Sequence, residues 1–115
     1  MSRKRAERNY AKQPARAVLF AALGDETRLA LVARLVAGRQ ASITQLATGS
    51  QLTRQAITKH LRVLEQAGFV RCQRQGRESL YALDAKPIEQ MQEYLRLVSK
   101  QWDDALGRLK TFVEG

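Results

Sequence analysis

The chain is poor in the side chains from which disulfides and metal sites are built. Its 115 residues include one cysteine, Cys72, and one histidine, His60. A single cysteine forms no intramolecular disulfide, which favours a reducing compartment. Soft transition metals take three or four thiolate or imidazole ligands. Because Cys72 and His60 cannot supply such a set, we expect neither a metal nor any other cofactor.

Other missing features exclude whole classes of protein. No apolar run approaches the roughly 18 residues of a membrane span, and no apolar signal-peptide core follows the basic N-terminus. The sequence contains no glycine-rich phosphate loop, no paired nucleophile and base, and no pair of carboxylates placed for catalysis. We therefore expect a cytoplasmic protein that is not an enzyme and has no membrane partner.

Positive charge, in contrast, is abundant and unevenly distributed. The formal net charge is +9, and residues 1–78 contain fifteen Lys or Arg against five Asp or Glu. Residues 79–115 contain five against six. A basic region of this kind indicates a polyanionic partner, nucleic acid rather than an anionic membrane. A generically basic protein is the alternative that charge alone leaves open.

The length suits one domain. Residues 1–12 carry five cations and no apolar periodicity, which predicts a flexible basic arm. This arm either contacts DNA phosphates or is simply solvated, and a tail derived from a vector or start site is a further interpretation. We expect residues 13–115 to form a single domain.

Three helices are indicated ahead of the most informative segment. Pro14 suits the first turn of a helix over residues 14–23. A second helix is expected from an Asp25 N-cap to a Gly38 C-cap. A short third helix is expected over residues 42–47, where Ser42 and the glutamine three positions later match a capping box.

Residues 53–64 carry the strongest functional signal. As a helix capped by Thr53 and ended by Gly68, this segment places Ile57, Leu61 and Leu64 on one face. The opposite face offers donors, acceptors and cations without a carboxylate: Gln55, Thr58, Lys59 and Arg62. Such side chains bind base edges and phosphates. A short helix, a turn and this second helix together predict a helix-turn-helix DNA-binding element.

The pattern changes to short alternating strands after this helix. Residues 69–74 and 79–83 are rich in β-forming residues and flank a predicted hairpin loop at residues 75–78. A basic hairpin in this place is a wing, whose Arg74 and Arg77 would contact the sugar-phosphate backbone or the minor groove. The alternative is an exposed hairpin with ordinary surface arginines.

A long amphipathic helix is predicted over residues 87–113. Its apolar residues recur at alternating spacings of three and four: Ile88, Met91, Leu95, Val98, Trp102, Ala105, Leu109 and Phe112. An apolar stripe of this length needs a partner, and we expect that partner to be a second copy of the chain. Packing only on the helix of residues 14–23 is the alternative.

In their order along the chain, these motifs resemble the ArsR/SmtB family of bacterial winged-helix repressors. The resemblance covers about 60% of the chain, in four stretches: FAALGDETRL at 20–29, QLA at 45–47, LTRQAITKHLRVLEQAGFV at 52–70 and RQGRESLYAL at 74–83. It implies a mainly α fold with a small β-hairpin, in the order α-α-α-α-β-β-α. It also implies a homodimer joined through the terminal helices, and repression that an inducing signal relieves.

The resemblance also assigns candidate site residues. It places DNA contacts at Thr53, Arg54, Gln55, Thr58, Lys59, His60, Arg74 and Arg77. It places the dimer interface at Val18, Leu19, Met91, Leu95, Val98, Trp102 and Leu109. For His60, at the edge of the buried face, packing within the protein is an equal alternative.

One departure from the family is informative. Many relatives sense metals through a cysteine pair in the helix before the recognition helix, but residues 42–47 contain no cysteine. We therefore expect no metal sensing, and we interpret Cys72 as an inert strand residue rather than a redox switch.

The expected function is that of a homodimeric repressor that binds an inverted-repeat operator in double-stranded DNA, with its own promoter as one candidate target. The alternative is a winged-helix module whose main partner is another protein or RNA. RNA recognition usually uses exposed aromatics, and this chain has only seven. The sequence does not identify the inducer.

Overall fold

The computed structural model describes residues 16–115. Along this range the elements are α1 (Arg16–Leu23), α2 (Glu26–Gly38), β1 (Gln40–Ser42), α3 (Ile43–Ala47), α4 (Arg54–Gln66), β2 (Val70–Gln75), β3 (Glu78–Leu83) and α5 (Ala85–Glu114). The predicted class, mainly helical with a β-hairpin, is confirmed. The predicted arm at residues 1–12 and the predicted helix start at Pro14 lie outside the described residues.

The three strands form one antiparallel sheet in the order β1-β3-β2. Strands β2 and β3 make the expected hairpin, with a loop of only two residues between Gln75 and Glu78. Gly76 opens this loop at φ +61, the positive φ that tight hairpin turns require. Strand β1 was not predicted, because three residues are too few to show alternation. It pairs with β3 from Gln40 to Ser42 and so brings the start of α3 beside the wing.

The core lies beneath α4 and receives one face of each neighbouring element. Its buried apolar residues are Leu19, Ala22, Leu31, Leu35, Leu46, Ile57, Leu61, Leu64, Ala67, Phe69, Val70 and Met91. Ile57, Leu61 and Leu64 are fully buried, which confirms the predicted inner face of α4. Burying a side chain of this size contributes about 1.5–3 kcal/mol. The inner face therefore holds α4 in place and leaves its outer face to solvent.

The three predicted N-caps are confirmed. Asp25 and Thr53 each accept a hydrogen bond from the backbone amide three residues later, at 3.0 Å. Ser42 and Gln45 form a complete capping box, in which each side chain accepts from the other residue's backbone amide. These caps begin α2, α4 and α3, so local hydrogen bonding sets where each of these helices starts.

The C-terminal ends of the helices agree only in part with the expectation. Gly38 was expected to cap α2, which is wrong by one residue: it is the last helical residue, and Arg39 takes the positive φ of 68. After α4, Gly68 adopts φ +90, and the amides of Gly68 and Phe69 bond back to carbonyls of the last helical turn. This is a Schellman motif, which confirms Gly68 as the end of the recognition helix.

Helix α5 is the longest element, with 30 residues and a length of about 45 Å. It begins at Ala85 under an Asp84 N-cap, two residues before the predicted start at Pro87. Only Pro87 and Met91 are buried along it. None of the described helices is both long and apolar enough to cross a membrane.

Candidate nucleic-acid interface

The outer face of α4 borders an open depression of about 450 Å³. Its lining residues are Ile43, Arg54, Gln55, Thr58, Lys59 and Arg62. The structure thus brings together four predicted contact residues. It adds Arg62, whose place on the polar face was visible from helical periodicity but which the resemblance did not select. It also adds Ile43 from α3, which no pattern within α4 could have indicated.

The lining of the depression carries positive charge without compensation. Arg54, Lys59 and Arg62 supply three cations, and none of the six lining residues is acidic. Gln55 adds an amide that can both donate and accept hydrogen bonds. Cations that hold phosphates beside an amide that recognises base edges are the combination used in DNA major-groove recognition.

Hydrogen bonds within the protein orient two of these side chains. The Arg54 guanidinium donates through Nη2 to the Thr44 hydroxyl of α3, at 2.9 Å. The Thr58 hydroxyl donates to the Arg54 carbonyl one turn earlier, at 2.8 Å. Thr58 therefore presents its oxygen outward as an acceptor. No sequence pattern indicates Thr44, because it lies on another helix, ten residues from Arg54.

Thr53 and His60 lie at the margins of this surface. The Thr53 hydroxyl oxygen is occupied as the N-cap of α4, which leaves its hydroxyl hydrogen for a ligand. His60 does not line the depression. Its Nδ1 lies 3.3 Å from Arg28 Nη1 and 3.8 Å from Asp25 Oδ2, so its ring packs against the start of α2. These contacts are those expected if His60 packs within the protein, and the DNA contact predicted for His60 stays a prediction.

Asp25 joins this cluster as a carboxylate. The Arg28 amide donates to its Oδ2 at 3.0 Å. This backbone hydrogen bond, followed by the charges of Arg28 and His60, lowers the pKa of Asp25 below its usual value. Asp25 therefore remains ionised where the α1–α2 junction meets α4.

The wing is attached to α5 at its base and exposed at its tip. Arg71 binds Asp84 through two nitrogens, at 2.8 and 2.9 Å, while Asp84 also caps α5 through the Lys86 amide. The Lys86 amide bond first, and then Arg71, lower the pKa of Asp84. Arg74 and Arg77, the predicted wing contacts, are exposed on β2 and in the loop. They are available to a ligand that lies along the wing.

Two of the residues predicted at the dimer interface are buried within their own chain. Leu19 and Met91 are 1% and 9% exposed because they pack into the core of their own chain, so they offer almost no surface to a second copy. Val18, Leu95, Trp102 and Leu109 are about half exposed or more, and Val98 is partly buried. The exposed part of the apolar stripe of α5 therefore begins at Leu95 and continues toward the C-terminal end of the helix.

The first turns of α5 pack against α1. Phe20 meets the Tyr94 ring edge-on, with centroids 5.8 Å apart. Arg16 lies 4.9 Å above the same ring. The packing on residues 14–23, considered as an alternative to dimerisation, therefore applies to the proximal part of the helix.

Cys72 lies exposed on β2, opposite Tyr81 of β3. Partial burial, and then a hydrogen bond with Cys72, raise the pKa of Tyr81. Among residues 16–115, no group of three or more His, Cys, Asp or Glu side chains is arranged to hold a metal ion.

Comparison with known proteins identifies relatives of this chain. A family described as "Helix-turn-helix domain" matches residues 23–73. The chain is 33% identical over 79 residues to the uncharacterized HTH-type transcriptional regulator YuzN of Bacillus subtilis (strain 168), covering 64% of this chain and 86% of that protein.

Solved structures agree with the sequence relatives. An ArsR-like transcriptional regulator from Rhodococcus sp. RHA1 superposes with a TM-score of 0.72 at 35% identity, covering 90% of this chain and 94% of that one. Another ArsR family transcriptional regulator superposes with a TM-score of 0.69 at 30% identity, covering 76% and 89%.

Proposed function

Because this chain belongs to the ArsR family of helix-turn-helix transcriptional regulators, we propose that it is a homodimeric repressor that binds an inverted-repeat operator in the cytoplasm. The observation that carries the proposal is the depression on α4, where three cations and Gln55 converge without an acidic neighbour. In this proposal duplex DNA lies against that surface.

Each polar residue of this surface has a proposed task. Arg54 and Gln55, in the first turn of α4, enter the major groove and bind base edges. Lys59 and Arg62, further along the helix, bind phosphates. Four more residues extend the contacts: the hydroxyls of Thr53 and Thr58 at the helix surface, and Arg74 and Arg77 on the wing.

The dimer is proposed from the exposed apolar face of α5. Trp102 and Leu109, with Phe112 beyond them, expose most of their side chains in one chain, and burial against a second copy would remove this surface from water. A two-fold axis between the α5 helices would present two copies of α4. We therefore expect half-sites about 10–11 base pairs apart, or a simple multiple of that spacing.

Selection from a random-sequence duplex pool tests the DNA-binding proposal. We expect the purified protein to enrich an inverted repeat, and to bind it as two chains per duplex in a titration with light-scattering detection. Enrichment of no sequence, or stronger competition by single-stranded or duplex RNA than by DNA, would contradict the proposal.

Repression is tested separately in cells. A reporter with the selected operator placed over its promoter should lose expression when the protein is present, and a scrambled operator should not respond. The upstream region of the protein's own gene is assayed in parallel. Activation of the reporter, or an equal response of the scrambled operator, would contradict a repressor role.

A further inference from the structure

The hydrogen bond between Thr44 and Arg54 joins the two helices of the helix-turn-helix at the point where α4 begins. Thr44 lies in the first turn of α3, and Arg54 is the first residue of α4. The Arg54 Nη2 atom donates to the Thr44 hydroxyl at 2.9 Å, and both side chains are exposed. The contact therefore lies on the surface assigned to DNA rather than in the core.

This hydrogen bond leaves the arginine able to bind a base. A guanidinium carries five N–H donors in a plane. The bond to Thr44 uses one of them, so the other Nη2 hydrogen and both Nη1 hydrogens are available. In the major groove, a guanine base presents two acceptors that can bind two parallel donors of this kind.

We propose that Thr44 is a positioning residue for base recognition. Its hydroxyl holds the Arg54 side chain in one orientation before DNA binds. A free arginine loses rotamer entropy when it is immobilised, and orientation in advance reduces that loss on binding. The inference rests on the proposed function, in which Arg54 binds a base edge.

Other contacts already hold α3 against the rest of the domain. Leu46 is 1% exposed in the core. Arg34 of α2 donates to the carbonyls of Gln45 and Leu46, at 2.8 and 2.5 Å. Since a hydrogen bond between two exposed side chains contributes little to stability, loss of the Thr44 hydroxyl should leave the fold intact. This separates a positioning role from a structural one.

The chain offers matched variants for a test. Thr44→Val removes the acceptor at almost constant volume, and Thr44→Ser restores a hydroxyl. Thr48→Val is the control at the residue that follows α3, because the Thr48 hydroxyl bonds only the Thr44 carbonyl among the described residues. Each variant is compared with wild type for its affinity for the selected duplex and for a shuffled duplex of equal length, and for its Tm.

We expect Thr44→Val to lower the ratio of specific to non-specific affinity about tenfold, because the Arg54 side chain is then ordered only when it binds the base. Its affinity for the shuffled duplex and its Tm should equal those of wild type. Thr44→Ser should recover the ratio, and Thr48→Val should retain it. In an Arg54→Ala background, Thr44→Val should have no further effect, because the two residues act as one unit.

Three outcomes would overturn the inference. They are an unchanged ratio in Thr44→Val, an equal loss for both duplexes, or additive losses in the double variant. These differ from a failure of the proposed function, in which the wild-type protein itself shows no preference for any duplex.

Discussion

Arg28 and His60 connect two helices that are distant in sequence. The Arg28 guanidinium lies 3.3 Å from His60 Nδ1 on the recognition helix, and it also donates to the carbonyls of Ala21 and Ala22 at the end of α1. A guanidinium has hydrogen-bond donors and no acceptor, and at this contact it faces the Nδ1 atom of the imidazole ring. One side chain thus joins α1, the start of α2 and α4.

We predict that Arg28→Ala lowers the free energy of unfolding by about 1–3 kcal/mol, because it leaves carbonyls of α1 and the His60 ring without their donor. Urea denaturation followed by circular dichroism measures this loss. Arg108→Ala is the control: Arg108 is exposed on α5 and makes no hydrogen bond to the described residues, so its effect should stay within about 0.5 kcal/mol. If the two variants lower the free energy of unfolding equally, the Arg28 contacts do not stabilise the fold.

The DNA-contacting residues should separate into two classes. We predict that Arg54→Ala and Gln55→Ala reduce affinity for the selected operator more than for random duplex, with a loss of about 1–3 kcal/mol for a base contact. Arg77→Ala should weaken binding to both duplexes and reduce the slope of log affinity against log salt by about one. Mobility-shift titrations at several salt concentrations measure both effects. If the Arg54 and Gln55 variants bind the operator as tightly as wild type does, α4 is not the element that recognises the operator sequence.

The exposed apolar stripe of α5 predicts that a single substitution within it will prevent dimer formation. Trp102→Glu places a charge where the proposed partner helix packs, and a buried unpaired charge is strongly unfavourable. We expect light scattering to report twice the chain mass for wild type and a single chain mass for the variant, with helical content retained. Lys100→Glu, which adds a carboxylate on the opposite side of the helix, should remain dimeric. A Trp102 variant that stays dimeric would contradict this interface.

The Asp84 carboxylate predicts how stability depends on pH. Its pKa is lowered in the folded protein, so the folded state favours the ionised form. The stabilisation is complete above the unfolded pKa of about 3.9 and is lost as pH falls through the lower folded value. Asp84→Asn keeps an N-cap residue but no titrating group. Urea midpoints measured between about pH 6 and pH 2.5 should therefore decline less in this variant than in wild type. A decline as steep as that of wild type would contradict a role for the charge.

The capping box of α3 predicts a purely structural defect. Ser42 is 6% exposed and both hydrogen bonds of the box are formed. Ser42→Ala should lower the free energy of unfolding by about 1 kcal/mol, measured as a lower Tm. Operator preference should not change at temperatures where the variant is folded, in contrast to Thr44→Val. A loss of operator preference in the folded variant would contradict this purely structural role.

Much of the local structure was predictable because its causes lie within a few residues of one another. The buried face of α4 follows from helical periodicity, and the caps at Asp25, Ser42 and Thr53 follow from hydrogen bonds that span three residues. Gly68 follows from the positive φ that its turn requires. The prediction at Gly38 was wrong by one residue, because local preferences do not distinguish the last residue of the helix from the residue that caps it.

Periodicity also identified the apolar stripes without showing what covers them. Leu19 and Val18 are neighbours in α1, yet Leu19 is buried and Val18 is 49% exposed. Met91 and Trp102 belong to one stripe of α5, yet only Met91 reaches the core of its own chain. A hydrophobic residue indicates burial somewhere, whereas the surface that buries it depends on how the elements pack.

By itself, the sequence determined the amphipathic recognition helix, its caps, the hairpin after it and the basic charge around it, since each depends on neighbouring residues. The tertiary structure alone decided which of these residues meet across elements. Thr44 reaches Arg54, Arg28 reaches His60, and Arg71 reaches Asp84, over separations of 10, 32 and 13 residues. Such contacts exist only after burial of the core has brought the helices and the wing together. For that reason they are invisible in any local pattern.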